Sequence, residues 1–241
     1  MRELSSAGRL AAWGTAALAG EVSPDEAADQ VCGSHDAAHR VVGLPGEPEP
    51  VNLPYALGRL RALGATGLRL VLPVPGDVAG LPGPPAFNER AVGRGEAVVT
   101  TGSARLGLLA ESRGTGSVHP VGDAGRSALP RADAERDLTR VRREATALLV
   151  RLELTRWEPA AAEVLAARSR AVRPELPMSA NLQAQHVLHQ ALRIARIVEL
   201  ARAGDGAAVT AVEMTARTQA LRDLDTAARR AVEAACSPQP A

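Results

Sequence analysis

Arg61 to Thr101 reads RALGATGLRLVLPVPGDVAGLPGPPAFNERAVGRGEAVVTT, and the fold turns on it. Leu68 to Val74 (LRLVLPV) is almost wholly apolar, as suits a strand covered on both faces. Pro73 and Pro75 have no N–H for a ladder, so the strand ends there. A Pro/Gly-rich loop follows, then a short helix over Pro84–Val92, closed by Gly93 and Gly95. Ala97 to Thr100 (AVVT) is a second strand. Strand, helix, strand predicts a parallel pair joined by a right-handed crossover.

On the C-terminal side, Thr101-Gly102-Ser103 is a turn into a strand at Arg105–Ala110, making a hairpin. Val118–Val121 adds an edge strand. On the N-terminal side, Ala38–Leu44 is a weaker strand. Asn52 caps a helix whose Leu53, Leu57 and Leu60 form one stripe, ended by Gly64. The sheet is therefore mixed, of about four or five strands, with flanking helices. Before it stands an α-hairpin. Residues 4–19 carry helical periodicity and stop at Gly20. Ser23-Pro24-Asp25-Glu26 then caps a second helix that runs to Cys32 and Gly33.

Beyond the Gly/Ser/Pro-rich residues 112–130 the character changes to helical periodicity. Helices are expected over Asp133–Trp157, from Pro159 to Ala171, from a Ser179 cap to Ala203, and over Ala207–Ala235. The reading is an α/β domain over 1–127 and an all-α helical bundle over 128–241.

Composition narrows the chemistry. All 28 basic residues are arginine, which removes a Walker-type phosphate loop, a Schiff-base enzyme and a lysine general base. Aromatics are only Trp13, Tyr55, Phe87 and Trp157, so the core is packed with Ala, Val and Leu. Residues 1–127 hold 11 Arg against 13 acids, and the rest 17 against 14, so neither half demands a polyanion. Nucleic-acid binding through the Arg-rich helices is the weakest of three readings. Cys32 and Cys236 read as free thiols of a reducing cytosol. No stretch nears the ~18 apolar residues of a membrane span, and the expectation is a cytoplasmic protein away from membranes.

Three constellations carry candidate chemistry. The first is the loop 73–88, leaving the carboxyl end of a strand and entering a helix, where Gly76, Asp77 and Asn88 would face a ligand. Its glycine spacing matches no dinucleotide fingerprint. The second is a stripe of His186, His189, Arg193 and Arg196 on one helix, suited to an anion or a partner. Two cations beside the histidines disfavour a metal there. The third, Glu213 with Arg217, is an i,i+4 pair read as structural. His35, Asp36 and His39 cluster after Cys32, and His119 stands apart. No serine lies in a G-x-S-x-G elbow. No catalytic set, metal site or cofactor is read from these residues.

The segments LRLVLPVPGD and GLPGPPAFNERAVGRGEAVV resemble an uncharacterised protein group of GC-rich actinobacteria. The similarity runs over roughly residues 7–110 and is strongest at 57–100. It implies a lineage and no activity or site residues. The leading reading is a non-enzymatic interaction or ligand-sensing protein, whose C-terminal helices serve a homodimer or a protein partner. The alternative is a small-molecule enzyme with its site at the 73–88 loop.

Overall fold

The computed structural model describes residues 4–33, 40–111, 114–122, 129–151, 175–178, 180–203 and 211–238. They form two compact units. The sheet unit holds residues 4–128, and the chain returns to it at 176–181 and again from Cys236 onward. The helical unit takes the described residues of 129–175 and 182–235.

Local chemistry sets the helix ends of the sheet unit. Helix α1 (Ser6–Ala19) starts where Ser5 accepts a bond from the Gly8 N–H (3.2 Å) and stops at left-handed Gly20. Helix α2 (Pro24–Cys32) has Ser23 accepting from the Glu26 N–H at 3.1 Å and proline in its first turn. Helix α3 (Leu53–Ala62) is capped by Asn52, which accepts from the Tyr55 N–H at 2.9 Å. Helix α4 (Pro85–Arg94) runs through Gly93 and ends at Gly95, whose φ is 73°.

Six strands make one mixed sheet in the order β2-β1-β6-β5-β4-β3. They are β1 (Arg40–Val42), β2 (Val51–Asn52), β3 (Ala65–Val71), β4 (Ala97–Gly102), β5 (Leu106–Ala110) and β6 (Thr115–Pro120). The mixed sheet with flanking helices is the expected class. Its wiring differs from the expected crossover. β3 and β4 are antiparallel, with Val71 beside Ala97. The connection 72–96 therefore ends next to the strand end from which it began: the loop leads the chain away and α4 brings it back. A parallel crossover needs the chain delivered to the opposite end of the strand. The parallel pair is instead β1 with β6, far apart in sequence. β6 also starts at Thr115, inside the stretch read as linker, and lies between β1 and β5 instead of at an edge.

β3 is an edge strand, yet Leu68, Leu70 and Val71 are almost fully buried. Its outward backbone groups are satisfied by side chains. The Leu68 N–H donates to Thr15 Oγ1 of α1 at 2.9 Å, and the Leu70 N–H to Ser237 Oγ at 3.1 Å. Thr15 and the end of the chain thus close an edge that would otherwise invite another strand.

α1 crosses β3 closely because residue 14 is glycine: a Cβ there would stand 2.4 Å from Leu68 Cδ1. On the opposite face Val71, Leu81, Phe87, Ala91, Ala97, Val99, Leu109 and Val121 pack under α4. Phe87 lies over Gly107, where a Cβ would meet the ring at 2.4 Å. Arg69, 5% exposed, donates from Nη2 to the Gly80 carbonyl at 2.8 Å and pins the 72–84 loop to the sheet.

The helical unit contains α5 (Arg131–Arg151), α6 (Leu182–Ala203) and α7 (Ala211–Cys236). Their buried stripes recur at helical spacing: Ala134, Leu138, Val141 and Ala145 on α5, and Ala184, Val187, Leu188, Ala191, Ile194 and Val198 on α6. α7 buries Ala220, Leu221, Leu224, Ala227, Ala228 and Ala231. Arg140 bridges Glu144 (2.9 Å) and Asp137 on the outer face of α5. The helix expected over 159–171, the cap at Ser179 and the turn at Gly204 and Gly206 lie outside the described residues.

Candidate functional site

A cavity of about 270 Å³ lies in the sheet unit between the first turns of α1, the end of α2 and the end of the sheet. Its apolar wall is Ala7 and Leu10 of α1, Val31 of α2, Leu53 of α3, and Val41, Val98 and Leu108 of the sheet. Val98 and Leu108 pair across β4 and β5, so they share one pleat face. The space exists because small residues stand where larger ones would fill it. Ala110 pairs with Gly116 across the β5–β6 ladder, and both line the cavity.

Arg40, Glu111 and Thr115 also line it. The register pairs Arg40 with Thr115 and Val41 with Gly116, so Arg40 and Thr115 have the opposite pleat to Val41. The cavity therefore opens round the end of the sheet, with an apolar interior and a charged mouth.

Glu111 belongs to a second constellation. Its carboxylate receives Arg94 Nη2 at 2.6 Å, Arg90 Nη2, and the Ser117 hydroxyl at 2.5 Å. Arg94 Nη1 also donates to the Glu111 carbonyl at 2.8 Å. His119 Nε2 stands 2.8 Å from Ser117 Oγ and 3.1 Å from Arg90 Nη1. The Ser117 hydrogen bond, aided by Arg90 and Arg94, holds the Glu111 carboxyl below its ordinary range. Burial, reinforced by Arg90, lowers His119, and Glu111 opposes that.

The Ser117–His119 distance is that of a nucleophile and its base. Yet the same hydroxyl faces a carboxylate, Ser117 is 7% exposed, and neither residue lines the cavity. Arg90 and Arg94 come from α4, Glu111 follows β5, and Ser117 and His119 lie on β6. The constellation is a clamp that fastens α4 to the β5–β6 hairpin. Its signals were in the sequence: Arg90 and Arg94 at i,i+4, and Ser117 and His119 at i,i+2 on a strand. What joins them is hairpin pairing, which spacing alone does not reveal.

The loop residues singled out from sequence serve backbone geometry. Gly76, with φ of 87°, sits in a tight turn where Val74 and Asp77 exchange both backbone bonds at 3.0 and 2.9 Å. Asp77 Oδ1 accepts from the Ala79 N–H at 3.4 Å, and Asn88 Oδ1 from the Gly83 N–H at 2.9 Å. None of the three lines the cavity.

On α6, His186 pairs with Gln190 (2.6 Å) and His189 with Gln185 (2.9 Å), each along its own helix. Arg193 is exposed. Arg196 is half-buried, and its Nε and Nη1 are buried without a hydrogen-bond partner among the described residues. Arg217 donates to the Ala201 carbonyl in the last turn of α6. His35, Asp36 and His39 lie outside the described residues. Among the described residues no three His, Cys, Asp or Glu side chains are grouped to hold a metal ion. No described helix is long and apolar enough to cross a membrane.

The model of the Rv1486c-like protein, N-terminal domain, matches residues 7–129, and that of its C-terminal domain matches residues 132–233. The chain belongs to the Rv1486c-like family. It is similar to the uncharacterised protein Rv1486c of Mycobacterium tuberculosis strain H37Rv, 35% identical over 126 residues. The uncharacterised protein MT1533 of strain CDC 1551 matches to the same degree. The match covers 42% of this chain and 42% of each relative's length. No solved structure matches the chain. The Rv1486c-like family thus agrees with the actinobacterial resemblance and brings no activity with it, so a functional reading has to come from the geometry.

Proposed function

We propose that this chain is a non-catalytic binding protein whose sheet unit holds a small, mainly apolar molecule in the cavity between α1, α2 and the sheet. The observation that carries this is the cavity itself: a mainly apolar lining with a few polar residues, Ser6, Arg40, Glu111 and Thr115, which is the usual constitution of a ligand pocket. Its 270 Å³ is about nine times the ~30 Å³ share of one liquid water, and lies near the lower end for ligand pockets. That size suits a molecule of about ten non-hydrogen atoms. The enzyme reading at the 73–88 loop has less support, because Asp77 and Asn88 are engaged with the loop's own backbone.

The test is a thermal-shift and calorimetric titration with 1-octanol. Stabilisation in the wild type, absent in Leu10→Trp, is expected: Leu10 is only half-buried, and a larger ring there takes up the space. A ligand at a hundred times its dissociation constant adds ~2.7 kcal/mol. No shift with octanol or with its eight-carbon acid and amine analogues at any soluble concentration sinks the reading.

The helical unit supports a second role, in assembly with a further copy or another protein. Among the described residues two buried guanidinium nitrogens of Arg196 have no hydrogen-bond partner, a costly arrangement that a partner's carboxylate would relieve once the half-buried side chain turned towards it. Light scattering of the wild type and Arg196→Leu tests it. A strictly monomeric wild type that captures no protein leaves that role unsupported. Neither Cys32 nor Cys236 is in a disulfide, which suits a reducing compartment, and on that ground the cytoplasm is the proposed location.

A further inference from the structure

Two charged residues line the cavity, and one of them, Glu111, is committed elsewhere. Glu111 is neutralised by Arg90 and Arg94 and also receives the Ser117 hydroxyl. The Arg40 guanidinium has no hydrogen-bond or ion-pair partner among the described residues; its backbone is held in the sheet, with the N–H on the Gly114 carbonyl at 2.8 Å. Arg40 is exposed at the first position of β1, at the cavity's mouth. Of the charged residues that line the cavity, Arg40 alone keeps an uncompensated charge among the described residues, since Glu111 is held by Arg90 and Arg94 of α4. A cation at the rim of an apolar chamber suits a ligand with an apolar body and an anionic head.

Resting on the cavity reading above, we infer that the ligand is a small carboxylic acid, with its carboxylate on Arg40 and its apolar body between α1 and β4–β5. The planar guanidinium fork matches a carboxylate with two parallel N–H bonds, a geometry that an alcohol or an amine cannot use. The lining agrees with the charge. Beyond Arg40, Glu111 and the hydroxyl residues Ser6 and Thr115, the side-chain walls are apolar, with Leu10, Val31, Leu53 and Leu108 offering an ionised group nothing. A headgroup is therefore left at the mouth, where Arg40 stands.

Octanoate, 1-octanol and octylamine share one tail and differ in head charge, and octanoate has the ten non-hydrogen atoms that the volume suits. Their dissociation constants are measured by calorimetry on the full chain at neutral pH and low salt. Octanoate is expected to bind about ten- to a hundredfold more tightly than octanol, from one charge-assisted pair, and octylamine most weakly. Arg40→Gln brings octanoate and octanol to within about threefold of each other. Arg40→Lys keeps part of the preference, since it restores charge without the fork. Because the Arg40 side chain is exposed and unbonded, both variants should melt with the wild type. Equal binding of octanoate and octanol by the wild type overturns the inference and leaves the cavity reading standing, as does a preference that survives in Arg40→Gln. Failure of all three probes to bind overturns both.

Discussion

Replacing Thr15 with valine removes one oxygen and keeps the shape of the side chain, and it tests how β3 tolerates being an edge strand. Thr15 Oγ1 accepts from the Leu68 N–H at 2.9 Å and lies 2.6 Å from the Ala11 carbonyl, its back-bond along α1. Leu68 is 0% exposed, so water cannot replace the lost acceptor. An orphaned buried donor costs roughly 1–3 kcal/mol. Helix propensity is nearly the same for threonine and valine and does not offset this. The expected loss is thus ~1–3 kcal/mol, or about 2–12 °C in Tm at this chain length. Hydrogen exchange at the Leu68 amide should accelerate about 5- to 150-fold. Trp13, two residues away on α1 and 7% exposed, gives a fluorescence probe of the same unit. Thr15→Ser is the control: it keeps the hydroxyl and loses one methyl, worth about 0.8 kcal/mol. Pure apolar burial ranks valine above serine here, and the edge-capping account ranks serine above valine. A Thr15→Val protein as stable as the wild type, with Leu68 exchange unchanged, refutes the account.

Ser237→Ala should cost a similar ~1–3 kcal/mol by orphaning the buried Leu70 N–H, read by exchange at that amide. Gly14→Ala and Gly58→Ala make the same helical substitution with opposite sign. At residue 58 nothing lies within 4 Å of the new Cβ, so the ~0.5–1 kcal/mol gain of alanine over glycine stands. At residue 14 the clash with buried Leu68 costs about 1–3 kcal/mol and wins. Chemical denaturation should therefore show one stabilised and one destabilised variant. Acid weakens the α4 clamp in two steps. His119 is depressed below 6.5, so its contribution is present above that value and is lost as pH falls through its lowered pKa. Glu111 is depressed below 4.5, so its contribution is present above that value and goes on further acidification. Ser117→Ala should flatten the lower step of the stability–pH curve, because the hydroxyl is the largest cause of the Glu111 shift. Asn88→Ala should cost about 1 kcal/mol by releasing the Gly83 N–H, and leave octanol binding as in the wild type.

Much of the local structure was legible in the sequence because its causes are local. Ser23, Asn52, Gly20 and Gly95 end helices through bonds and backbone angles within four residues of themselves. The burial of Leu68, Leu70 and Val71 was legible too, from the apolar run they belong to, though not that of Arg69 between them. The strand's place in the sheet was not. An edge strand buried on both faces needs a threonine from α1 and a serine near the chain's end, at separations of 53 and 167 residues. The direction of β4 against β3 depends on where the 72–84 loop travels, and that loop is pinned by Arg69 reaching Gly80.

The candidate site was hidden for the same reason. Gly76, Asp77 and Asn88 stood out by residue type, and the fold uses them to shape one loop. Ala7, Ala110 and Gly116 have no chemical signature, yet their small size leaves a chamber once α1 meets the β5–β6 hairpin. The sequence by itself determined where helices start and stop, which faces are apolar, and that a mixed sheet precedes a helical part. Tertiary structure alone decided strand order, which edge is closed, and where space remains. Caps and periodicity act within a turn or two of the chain. Cavities and edges exist only between elements that the sequence holds far apart.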